Sequence, residues 1–192
     1  DLDVIPNVAR DGRIETALAG LERRPAPRSR WPTRSRKHAR PNGDSDGLML
    51  DEYSEAELQD ACDVIAWIVK QPWCAGKVGM MGISWGGFNG LQVAARKPPA
   101  LKAIVTICST DDRYEDDIHY KGGCLLNENL GWAATMLAYS SRPPDPKIVG
   151  TKWRKMWLER LNAEPFLLIP WLQHPHRDAY WKHGSVCENF SA

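Results

Sequence analysis

The chain has 192 residues, 43% of them apolar and 26% charged, with a formal net charge of +1. That length allows one domain with a real core or a part of a larger one, and the near-neutral balance provides no bulk attraction to nucleic acid or to an acidic membrane. No apolar run approaches the length of about 20 residues that spans a bilayer, and no signal-peptide pattern opens the chain, so a cytoplasmic protein with no membrane partner is expected.

Residues 1–41 differ from the rest. Arginines at 10, 13, 23, 24, 28, 30, 34, 36 and 40 crowd among prolines at 25, 27, 32 and 41. Residues 14–21 are compatible with one short helix. From Arg23 to Pro41 neither alternation nor a 3.6-residue period is present. Three readings stay open: a basic arm for polyanions, a disordered segment without a packing role, or a stretch foreign to the fold. The loop Gly43-Asp44-Ser45-Asp46-Gly47 follows. Its small and Asx residues favour tight turns, and it lacks the ligand series and closing Glu of a calcium loop.

Ser54-x-x-Glu57 is a capping box that opens a helix. Leu58, Cys62, Ile65 and Val69 recur at helical spacing, and the helix should run to about Lys70, ahead of Pro72. A strand over 77–81, a turn at Ser84, a helix to Arg96 and a β-branched strand over 101–107 come next. Helix, strand, helix, strand in that order is a βαβ pattern with a parallel sheet. Beyond it, Asp111, Asp112, Glu115, Asp116 and Asp117 surround Arg113 and Tyr114, which reads as a solvated charged loop. Residues 127–141, 145–162 and 165–174 read as helices, the second opening on Asp145-Pro146. Five of the nine tryptophans (132, 153, 157, 171 and 181) lie in this block, where packing is the first expectation and an apolar substrate pocket the second.

The five cysteines form no C-x-x-C pair, and Cys62 and Cys108 fall within apolar runs, so both are expected buried. His174 and His176 read as surface loop residues. No His/Cys cluster has metal-ligand spacing, and neither a metal nor a cofactor is expected.

The chemistry concentrates at Gly82-Ile83-Ser84-Trp85-Gly86, a G-x-S-x-G spacing followed by Gly87, with a strand before it and a helix after it. That context is the one a nucleophile elbow needs. A sharp strand-to-helix turn lifts a serine hydroxyl above the sheet edge, where a base can reach it. Glycine at 82 and 86 removes side chains that would collide with the neighbouring strand or helix. The following helix points its free N–H groups and positive dipole end at the site. Ser84 is therefore the candidate nucleophile, and the Trp85 N–H a candidate oxyanion donor.

The stretches GDSDG at 43–47, WIVKQPWCAGKVGMMGISWGGFNGLQVAA at 67–95, ALKAIVTICSTDDRYEDDIHYKGG at 100–123 and NLGWAATMLAYSSRPPDP at 129–146 together resemble the CocE/NonD hydrolases. These are S15-type serine hydrolases, related to the X-prolyl dipeptidyl aminopeptidases and the cocaine-esterase-like enzymes. The resemblance covers about residues 42–192. It implies an α/β-hydrolase core with a helical cap inserted after the strand that follows the elbow helix. It also implies hydrolysis of esters or amides through an acyl-enzyme, with Ser84 as nucleophile and the Trp85 N–H in the oxyanion hole. The chain departs from that pattern at Arg40-Pro41-Asn42-Gly43, where the family usually has R-G-x-G. The early strands and the tyrosine that usually supplies a second oxyanion donor have no evident counterpart in 1–41.

The expected organisation is thus an atypical segment over 1–41, a partial hydrolase core over 42–109 and a helical cap over 110–192. The triad order in this fold is serine, acid, histidine, with both partners beyond the cap. Only His119, His174, His176 and His183 follow Ser84, all within the cap region, so no base is assigned and the acid and histidine are expected to be absent. His119 could still face the pocket mouth. The isolated chain is expected to be nearly inactive, its substrate a small or peptide acyl compound, ester or X-Pro amide. Two other readings remain: a non-catalytic interaction protein with a basic N-terminal arm, and an acyltransferase on the same turn.

Overall fold

The computed structural model describes residues 3–10, 13–16 and 43–191, the first two segments as backbone only. A four-stranded sheet runs in the order β2-β1-β3-β4. Its strands are β1 (Asp3–Arg10), β2 (Arg13–Thr16), β3 (Val78–Ile83) and β4 (Leu101–Ile107). β3 lies parallel to β1, from Asp3↔Val78 to Asn7↔Gly82, and parallel to β4, from Val78↔Leu101 to Ile83↔Ile107. β2 turns back antiparallel on β1.

Residues 3–10 form a sheet strand, and residues 13–16 are a strand where a short helix was expected over 14–21. Pro6 is compatible with this because β1 meets β3 over Asp3–Asn7 but meets β2 only over Asn7–Arg10. Proline is tolerated where a strand is paired on one side. The signal was Asp11-Gly12 between Val4, Ile5, Val8 and Ile14, a strong short-range hairpin pattern. Most of the Arg/Pro-rich run, with the basic-arm and disorder readings attached to it, lies outside the described residues.

The helix α1 (Glu55–Ile68) begins at Ser54, whose hydroxyl accepts from the Glu57 N–H at 3.3 Å. Only half of the expected capping box forms, because the Glu57 carboxylate turns inward instead. Leu58, Ile65 and Ile68 of α1 pack with Val78 and Met80 of β3 and with Val93 of α2 (Trp85–Ala95). This cluster holds the two helices and the sheet together by burying apolar surface, at about 25 cal/mol per Å².

A second core joins α2 to the C-terminal half. It contains Met49, Tyr53, Trp85, Phe88, Tyr114, Tyr120, Trp171 and Trp181. Around it run α3 (Glu128–Ser140), α4 (Pro146–Val149), α5 (Trp153–Ala163), α6 (Leu168–Gln173) and α7 (Ala179–Lys182). The helix expected over 145–162 is broken at Gly150, whose φ of 64° leaves the helical region. Within the region expected to be helical sits a small hairpin, β5 (Tyr120–Lys121) and β6 (Cys124–Leu125), turned by Gly122-Gly123 at φ of 55° and 77°.

Trp171 and Trp181 are fully buried, as packing residues should be, whereas Trp67, in the last turn of α1, and Trp73, beyond it, stand half exposed, edge to face. Cys108 was expected buried and is exposed, because it lies where β4 ends, at φ 53°. Within the acidic segment Asp111, Glu115 and Asp116 are exposed and Asp112 and Asp117 half-buried, the Asp117 Oδ2 fully so, while Arg113 and Tyr114 between them are buried.

Candidate active site

Ser84 occupies a single-residue turn between β3 and α2, at φ 53° and ψ −120°. A serine in that region is strained by roughly 1–3 kcal/mol. The turn is held from both sides: the Ser84 N–H donates to the Ile107 carbonyl at 2.8 Å, and the Ser84 carbonyl accepts from the N–H groups of Gly87 (2.7 Å) and Phe88 (3.0 Å). The residue is exposed. Gly82 is required here, since a Cβ on it would sit 2.2 Å from the backbone carbon and oxygen of Gly86. Gly87 is packed almost as closely, with a Cβ position 2.5 Å from Ser109 Oγ. The Trp85 N–H is the first of α2 and belongs to the set that has no acceptor within the helix.

The Trp85 side chain points into the protein. Its indole Nε1 donates to Glu57 Oε1 at 2.8 Å, and Asn89 Nδ2, one turn further along α2, donates to the same oxygen at 2.9 Å. Tyr53 and Trp132 flank the indole at ring separations of 5.2 and 6.4 Å. Burial raises the Glu57 carboxyl, and the two donated hydrogen bonds offset this only in part, leaving it at about 7.

Behind this layer lies a buried ionic group. Glu52 Oε2 accepts from Arg113 Nη2 (3.2 Å) and lies 2.9 Å from His119 Nε2, while its Oε1 accepts from the Trp132 indole (2.8 Å). His119 Nδ1 lies 2.8 Å from Asn129 Oδ1. Both ring nitrogens face acceptors, the arrangement of an imidazolium. Burial pulls His119 down, and Glu52 more than reverses that. Burial also raises Glu52, but the charge and hydrogen bond of His119, with Arg113 beside it, bring it down to about 2.

This corrects the expectation for His119. It is 1% exposed and committed to a structural charge cluster, not to a pocket mouth. Two of the other histidines after Ser84 have other partners: His174 Nδ1 lies 2.6 Å from Asp178 Oδ2, and His183 Nε2 lies 2.8 Å from the Tyr53 carbonyl. Among the described residues, no side chain hydrogen-bonds the Ser84 hydroxyl. An open groove of about 880 Å³, bordered by Leu48 and by Arg154, Leu158 and Asn162 of α5, does not include Ser84. Among the described residues, no group of three or more His, Cys, Asp or Glu is arranged to hold a metal ion, and no helix is long and apolar enough to cross a membrane.

Reading the sequence brought out Ser84 and Trp85 but saw Glu57 only as a capping residue, placed Arg113 in a solvated loop although it is buried, and missed Glu52 altogether. For Glu52 no local signal exists; its partners are 61 to 80 residues away.

Residues 36–192 match the family described as X-Pro dipeptidyl-peptidase (S15 family). The cocaine esterase of Rhodococcus sp. (strain MB1 Bresler) is 34% identical over 150 residues, 67% of this chain and 26% of that protein. The crystal structure of a CocE/NonD family hydrolase from Staphylococcus aureus superposes with a TM-score of 0.53 at 24% identity, over 76% of this chain and 23% of that one. The likeness is to an α/β-hydrolase-type fold. The chain spans about a quarter of the length of either relative.

Proposed function

The chain belongs to the X-Pro dipeptidyl-peptidase (S15) family, and from that membership we propose that it carries the nucleophile elbow of a serine hydrolase of the CocE/NonD type. In this reading Ser84 Oγ attacks an ester or amide carbonyl carbon, its proton passing to a base. The carbonyl oxygen becomes an oxyanion that accepts from the Trp85 N–H. Collapse of the intermediate expels the alcohol or amine with a proton, and water then releases the acid from the acyl-serine. The observation that carries the reading is the strained, exposed Ser84 at the junction of β3 and α2, with Gly82 and Gly86 in a contact that no side chain would allow.

The acid and histidine of the triad are not assigned to any described residue. With no base among the described residues bonded to its hydroxyl, Ser84 is a weak nucleophile. The 192-residue chain should therefore react slowly with a fluorophosphonate probe, at Ser84, as read by intact mass and peptide mapping. Ser84→Ala should abolish the adduct. Labelling confined to other serines would overturn the elbow reading, and fast labelling of Ser84 would overturn the reading that no base reaches its hydroxyl. The substrate class, ester or X-Pro amide, would follow from the pocket around the oxyanion.

A further inference from the structure

Glu57 is 7% exposed and lies on α1, one layer behind the Ser84 turn. It has two strong donors, the indole of Trp85 and the amide of Asn89, and both bond to the same oxygen. Trp85 and Asn89 are residues i and i+4 of α2, so one carboxylate oxygen spans the first turn of that helix. The charged groups acting on this carboxyl are Glu52 and Asp60, while Glu52, Asp117 and the cation Arg113 act, with Glu57 itself, on the neighbouring Tyr53; among the described residues no cation is hydrogen-bonded to Glu57. A buried carboxylate in such company costs stability that a neutral side chain would not. A group kept under those conditions, directly behind a strained turn, suggests a role other than packing.

We infer that Glu57 is the positioning residue of the Ser84 turn: its carboxylate anchors Trp85 and Asn89, and so fixes the direction of the Trp85 N–H and the reactivity of Ser84. The inference rests on the hydrolase reading and adds a residue to it. The hold is charge-assisted when Glu57 is ionised and weaker when it is protonated. Asn89 supplies a route between the two states, because its buried Oδ1 has no partner. A protonated Glu57 carries an O–H that can donate to that oxygen once the amide turns over, and the bond to the indole then loses its ionic character. Burial raises the carboxyl to about 7, so both states are reached within an ordinary pH range.

The test uses the full chain labelled with ¹⁵N at the tryptophan indoles. The Trp85 resonance is the one lost in Trp85→Phe. It should shift downfield as pH rises, with a midpoint near the 7 expected of Glu57, and in Glu57→Gln that inflection should vanish. Fluorophosphonate labelling of Ser84 at the upper end of the range should be roughly tenfold slower in Glu57→Gln than in the wild type. A Trp85 resonance without an inflection in the wild type would overturn the inference, and this arm needs no variant of Glu57 to fold. An inflection that persists in Glu57→Gln, or equal labelling rates in the two proteins, would overturn it as well. Absence of Ser84 labelling in both would remove the hydrolase reading and the role with it, while the titration would still decide whether Glu57 holds the indole.

Discussion

Glu52 is the centre of a buried group of charged and polar side chains. It is 2% exposed and takes hydrogen bonds from Arg113 and Trp132, with His119 at 2.9 Å. Arg113 in turn donates to the His183 carbonyl and lies 4.8 Å over the Tyr53 ring, so the cluster joins the segment before α1 to the C-terminal helices. Breaking a buried pair from one side leaves the other charge uncompensated, and Glu52→Gln should cost about 3–5 kcal/mol in urea unfolding. The pH dependence follows from the direction of the shift. The folded carboxyl titrates at about 2, below its ordinary 4.5, so its contribution is complete above 4.5 and is lost as pH falls through 2. Acid unfolding should be shallower in Glu52→Gln over that window. Glu57 has the opposite sign: at about 7 when folded, it makes stability decline as pH rises from 4.5 to 7, and Glu57→Gln should remove that decline.

The β3–α2 unit owes its shape to backbone approach. Gly82 faces the Gly86 backbone at a distance that no methyl group tolerates, and a backbone cannot rotate out of the way. Gly82→Ala should therefore lower stability by about 3 kcal/mol or more. Gly131 gives the contrast. It lies inside α3, and a Cβ there meets nothing within 4 Å. Gly131→Ala should raise stability by about 1 kcal/mol, because it removes only the conformational freedom of glycine in a helix. Thermal unfolding of the two variants side by side measures both effects.

Across the molecule, β4 is the outer strand of the sheet on one side among the described residues. It leaves Val105 and Ile107 50% and 44% exposed, beside an exposed Ile83 on β3. An apolar strand edge of this kind recruits other strands. The purified chain should self-associate with rising concentration in sedimentation velocity, and Val105→Lys should shift it toward monomer. A concentration-independent monomer in the wild type would show that the edge is covered in solution.

The segment from Ser54 to Ile107 was legible in the residues themselves. Helix periodicity, a capping serine, β-branched strands and the glycines around Ser84 act over a few residues, and local steric rules are enough to read them. The strand at Asp3–Arg10 was obscured by the arginines and prolines beside it, although its Asp-Gly hairpin signal was present. The surroundings of Ser84 were decided only by packing. Glu57 meets Trp85 and Asn89 across 28 and 32 residues, and Glu52 meets His119 across 67. Periodicity states which face of an element is apolar, but the acid that ends beneath a given indole depends on how helices and sheet close on one another, and that is a property of the folded chain alone.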